Sequence, residues 1–169
     1  METKEMSFEE KYDKLYDQYV LTDVIAWAFA KEMGLTDKYL DYSMKVYKKM
    51  MPSIMGSAFK LIKLLAPGKA FKKFVEGLLK DGQVTEPLSN TELVSLSDRE
   101  AVIKTKNSVM LKKYRDILKK TGLKLDLKEY YELSMEAGKE MMKDFGFDMS
   151  VDTSHIEEDT ITSIIKLKK

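Results

Sequence analysis

"ELVSLSDREAVIKTKNS", Glu92 to Ser108, decides the fold. On either side of "SDRE", "ELVSLS" and "AVIKTK" each alternate apolar and polar residues. A period of two puts successive side chains on opposite faces, as in a half-buried strand. "SDRE" supplies the turn, so the stretch reads as a β-hairpin. Everything before it has a period near 3.6, and "DGQVTEPLSN", Asp81 to Asn90, has the composition of a linker between the two regimes.

Upstream of the linker the spacing predicts four helices. The first begins at Ser7, with Glu10 three residues on as in a capping box, and stops at Gly34. Phe8, Tyr12, Leu15, Tyr16, Tyr19 and Val20 recur along it at helical intervals. "VIAWAFA", Val24 to Ala30, is apolar nearly all round. Such a run is expected to be buried on several sides, with Trp27, Ile25 and Phe29 in the core. Thr36 and Asp37 cap a second helix that Pro52 ends after Met51. Ser53 caps a third to Ala66, where Pro67-Gly68 breaks it. A fourth runs from Lys69 to Lys80.

Downstream, Asn107 or Ser108 caps a fifth helix ending at Gly122. Asp126 and Glu129 form a second capping-box pair for a sixth, which Gly146 stops. "FDMSV" and "TITSIIKL" alternate again, as a second hairpin around "DTSHIEED". Val94, Ile103, Ile161 and Ile165 are expected to face the core. The order is αααα-ββ-αα-ββ over one domain, with a helical half at 1–81 and a sheet-containing half at 91–167. This is an α+β chain whose helices pack on a four-stranded antiparallel sheet.

Composition narrows the chemistry. The chain of 169 residues has no cysteine and one histidine. That excludes disulfides, thiolate metal sites, iron–sulfur clusters and cysteine nucleophiles. It also excludes a multi-histidine metal site within one chain. There is no G-x-G-x-x-G, no P-loop and no nucleophile elbow. The residues therefore give no cofactor, no metal and no catalytic set, and favour binding over catalysis. His155 sits among Glu157, Glu158 and Asp159 and reads as an exposed turn residue, not a ligand or base. The charged start "METKEMSFEEKYDK" and the shortness of "VIAWAFA" suggest a cytoplasmic protein.

Charge is uneven. Residues 1–41 carry ten acids and five bases; residues 42–75 carry eight lysines and no acid. Within this basic block Met55, Phe59, Lys60 and Lys63 are the candidate ligand-binding residues. Apolar side chains would hold the tail of a small apolar or acyl molecule, and the ammonium groups would meet an anionic head. Against this stands a helix pair that packs in the core and keeps its lysines in water. Docking to an anionic membrane surface is another use of the same block. Nucleic acid fits less well, because the block has no arginine and its aromatics fall on faces expected to be buried.

The C-terminal half, with a hairpin ending "VIKTKNS", two helices and a last strand "DTITSIIKL", resembles the vinyl-4-reductase domains. It also resembles the related L-2-amino-thiazoline-4-carboxylic acid hydrolase-like proteins. The resemblance covers about Thr91 to Leu167. It implies a helical N-terminal half, an antiparallel sheet and a pocket for a small, often hydrophobic molecule. Members of that group commonly carry cysteines where this chain has Asn107-Ser108 and Ser163, so thiol chemistry does not carry over. Three functions follow as expectations. The first is non-catalytic binding of an apolar ligand between helices and sheet. The second is an assembly or membrane-associated subunit, a homodimer included, that uses its helical face. The third is a hydrolase-like enzyme working without the family cysteine, around Ser108 and Ser163.

Overall fold

The computed structural model describes residues 6–54, 65–83, 85–144 and 146–168. Within them five helices run α1 Phe8–Glu32, α2 Thr36–Ile54, α3 Pro67–Gly82, α4 Val109–Thr121 and α5 Leu127–Asp144. Four strands run β1 Thr91–Leu96, β2 Glu100–Thr105, β3 Phe147–Asp152 and β4 Ile161–Leu167. The fold is α+β, with helices first and then an antiparallel sheet interleaved with helices. The helix expected from Ser53 to Ala66 lies mostly outside the described residues.

The sheet order is β1-β2-β4-β3, all antiparallel. The second hairpin thus adds its last strand to β2, and β1 and β3 form the edges. The register lines up Leu96, Ala101, Ile165 and Met149 across one face, and Leu93, Ile103, Ser163 and Val151 beside them. Phe71 and Val75 of α3 and Met142 of α5 pack on this face against Ala101, Phe147 and Ile165. The opposite face is mostly polar, with Val102 and Ile164 paired at its centre; Glu100 and Lys166 stand across from each other there and bridge at 2.8 Å. One wet and one dry face is the usual arrangement for an antiparallel sheet.

Val94, expected inside, is exposed. The register shifts between Leu93 and Ser95, so β1 carries a bulge there. The extra residue lets Leu93 and Leu96, three apart in sequence, fall on the same side of the sheet, with Leu96 packed on the core, and it turns Val94 to the other side.

A second core unites α1, α4 and α5. Tyr16, Val20 and Val24 of α1 meet Leu111, Tyr114 and Ile117 of α4 and Leu127 and Tyr131 of α5, with Ile156 and Ile161 closing the end. Trp27 is 1% exposed, but Ile25 and Phe29 on the same helix are not buried. The all-round apolar run thus has only one face in the core.

Local signals were otherwise followed closely. Ser7 and Glu10 form both halves of the capping box, at 3.2 and 2.7 Å. Ser108, not Asn107, caps α4, and Gly122 ends it with φ of 68°. Asp126 accepts from the amides of Lys128 and Glu129, while the Glu129 carboxylate pairs with Lys31 across the fold. Two helix limits differ from expectation. α2 passes through Pro52 to Ile54, so the proline forfeits one helical hydrogen bond near the end without terminating the helix. Pro67 is the first residue of α3, where its missing N–H costs nothing. A Cβ on Gly68 would lie 2.8 Å from that of Asp98, so the glycine admits the turn of the first hairpin. There Lys72 pairs with Asp98 at 2.7 Å.

Candidate functional site

Met55, Phe59, Lys60 and Lys63 lie outside the described residues. The part of the basic block that is described, in α3, turns Ala70, Phe71 and Val75 into the core and leaves Lys69 and Lys73 exposed. There the block packs as a core helix with a solvated lysine face. His155 is exposed on a short 3-10 turn, with its Nδ1 3.4 Å from Glu158. Among the described residues no cluster of three or more His, Asp or Glu side chains could hold a metal ion.

Ser108 and Ser163 are the two serines around which a hydrolase-like site was expected. Ser108 is fully buried; its hydroxyl donates to Glu86 and accepts from the Leu111 amide at 3.1 Å. Glu86 also accepts from the amides of Val109 and Met110, both at 3.0 Å. A carboxylate from the linker thus closes the start of α4, where unpaired amides and the helix dipole favour negative charge. Ser163 lies in β4 opposite Ile103 and Val151. The Ser108 hydroxyl is committed to a cap, and the register sets apolar neighbours beside Ser163.

A more concentrated polar group lies where four helices meet. Asp23 of α1 accepts hydrogen bonds from the hydroxyls of Tyr114 and Tyr130, and from Tyr39 of α2 at 3.4 Å. The Tyr114 and Tyr130 hydroxyls are themselves 2.8 Å apart. Trp27 packs edge-on against Tyr39 and Tyr130, with ring centres 5.9 and 5.4 Å away. Burial pushes both phenols far above their ordinary range. For Tyr114 the neighbouring Tyr130 and the charge of Asp23 add to this; for Tyr130 the Asp23 charge adds, and its bonds to Tyr114 and Ser134 work the other way. The phenols therefore stay protonated and donate, and each oxygen of the carboxylate accepts at least one tyrosine hydrogen bond. This is a latch between helices, not a group poised to move a proton.

Among the described residues two grooves open on the surface. One runs along α5 beside Asp126, Glu129, Glu132 and Leu133; the other lies between Ala28, Glu32, Leu123 and Leu125. Both have charged residues in their walls and neither is an enclosed apolar cavity.

The least expected feature is on α1. Phe8 is 85% exposed, Leu15 65% and Phe29 58%, and Tyr12, Tyr19, Ile25 and Met33 are exposed as well. Phe8, Tyr12, Leu15, Tyr19, Thr22, Ala26, Phe29 and Met33 alternate steps of four and three. That spacing draws one continuous stripe along a helix. Its neighbouring face, with Tyr16, Val20, Val24, Trp27 and Ala30, is buried. The helix thus has two apolar faces, one already in a core.

In comparisons with known proteins, no family model, no curated protein and no solved structure matches this chain.

Proposed function

We propose that this protein is a non-catalytic interaction module whose α1 stripe is a docking surface for another protein. The stripe itself carries the reading. Scattered exposed apolar residues are ordinary, but a contiguous apolar surface running the length of a helix marks an interaction site. Fixed polar chemistry in the described residues is explained by folding: Asp23 ties helices together, and Glu86 and Ser108 cap α4.

Charge favours a protein over a lipid surface. Residues Phe8–Glu32 contain six acids and three bases. Helices that lie on anionic membranes are basic on their polar face, so this one would be repelled. The small-ligand reading rests on Met55, Phe59, Lys60 and Lys63, and nothing among the described residues adds to it.

The test is a photo-reactive amino acid placed at residue 15 or 29 in living cells, with residue 150 on the polar sheet face as control. The reading expects a discrete protein adduct from 15 and 29 and none from 150. No adduct above the control from either stripe position would overturn it.

A further inference from the structure

We infer that the partner on the stripe is a second copy of this chain, with the two α1 helices packed antiparallel. This rests on the reading of α1 as an interface and names its occupant. The first argument is area. With an aromatic side chain offering about 150–250 Å², the exposed parts of Phe8, Tyr12, Leu15, Tyr19, Ile25, Phe29 and Met33 amount to roughly 700 Å². A standard interface buries about 800 Å² per partner. One stripe meeting its own copy therefore reaches the size of a stable pairing with little help from other elements.

The second argument is pattern. Antiparallel pairing about a twofold axis near the middle of α1 sets Phe8 on Met33, Tyr12 on Phe29, Leu15 on Ala26 and Tyr19 on Thr22. Large residues then meet small ones at the centre, which allows the backbones to approach without voids. Parallel pairing would set Tyr19 on Tyr19 and Ala26 on Ala26, crowded at one level and hollow at the next. Thr22 suits the centre because its hydroxyl is turned back to the Gln18 carbonyl at 2.8 Å, leaving its methyl group outward.

The third argument is charge. Lys11 and Glu32 lie on the same edge of the stripe at its two ends, both exposed. Antiparallel packing brings Lys11 of each copy toward Glu32 of the other, whereas parallel packing sets this edge of one helix against the opposite edge of its partner and loses that pairing. The helix dipoles are also opposed favourably. A surface that matches itself in this way suits a twofold dimer, in which both copies use the same patch.

The chain has no cysteine, so an introduced thiol is unique. Wild type should show a concentration-dependent dimer in sedimentation equilibrium. Leu15→Glu and Phe29→Glu should each weaken association at least about tenfold, the effect of 1.4 kcal/mol, with unchanged circular dichroism. Leu15→Ala serves as a milder variant if a charge disturbs folding. A size-tagged Phe8→Cys protein mixed with untagged Met33→Cys and a short bis-maleimide should give the mixed product. Phe8→Cys alone should give none, since its two copies would lie about 37 Å apart at 1.5 Å per residue. Joining of Phe8→Cys to itself in place of the mixed product would overturn the antiparallel pairing. A monomer at every concentration up to the solubility limit would overturn the second copy as partner. The adducts from residues 15 and 29 in cells would then still decide separately whether α1 is an interface.

Discussion

Asp23 is the residue whose role is hardest to read along the chain, because Tyr114 and Tyr130 lie 91 and 107 positions away. Glu86 is hidden for a similar reason: it looks like one of several linker polars, yet it fixes the start of a helix 22 residues on. Local caps such as Ser7 with Glu10, and Ser108 with the Leu111 amide, were legible because both partners fall within one turn. Glu86→Ala should leave the Ser108 hydroxyl and two amides without their acceptor and cost about 1–3 kcal/mol in urea unfolding. A change below the error of the midpoint would mean that water replaces it. The tyrosines predict an alkaline limit. Burial raises Tyr16, Tyr114, Tyr130 and Tyr131, the charge of Glu86 adding to the shift at Tyr16 and Tyr131. A phenol held neutral in the fold and free to ionise when unfolded contributes stability that is whole below the unfolded value near ~10. That stability is lost as pH rises from there toward the raised folded values. Urea midpoints should fall above about pH 10, and Tyr114→Phe should make the fall shallower. Absorbance at 295 nm should show these four phenols ionising only as the protein unfolds.

Among elements, α1 separates what a period can reveal from what it cannot. Its apolar residues were legible as a helix, but a helical period does not say which of two adjacent faces enters the core. Tyr16, Val20, Val24 and Trp27 do; Phe8, Leu15, Ile25 and Phe29 do not. The choice is made by the neighbouring helices: Leu111, Tyr114 and Tyr131 of α4 and α5 cluster with Tyr16, Val20 and Val24, and Tyr39 and Tyr130 pack on Trp27. β1 posed a comparable problem. Its alternation identified a strand, but the bulge between Leu93 and Ser95 reversed the side on which Val94 was expected. The contrast within α1 can be measured. Trp27→Ala should cost about 3–5 kcal/mol, as for a large buried side chain. Phe29→Ala, two residues on, should stay within about 0.5 kcal/mol in dilute protein, as at other exposed sites. Native Trp27 fluorescence should be that of a shielded indole. Equal losses at 27 and 29 would mean that both faces are packed within one chain.

For the molecule as a whole, the α+β class and the positions of all four strands followed from where the period changes, near Thr91. The strand order did not, because nothing local in "TITSIIKL" states that β4 pairs with β2 as well as with β3. The α1–α4–α5 core, the helix-covered sheet face and the Asp23 latch leave α1 rigidly held with one apolar face inward and one outward. A rigid, outward stripe loses little side-chain and backbone freedom on docking, which favours affinity. Thiol labelling of single-cysteine variants at 15, 20, 24 and 29 in dilute purified protein tests this most directly. Leu15→Cys and Phe29→Cys should react rapidly, and Val20→Cys and Val24→Cys only through unfolding. Protection of 15 and 29 equal to that of 20 and 24, at dilutions where the protein is monomeric, would contradict the account, because the stripe would then already be buried within a single chain.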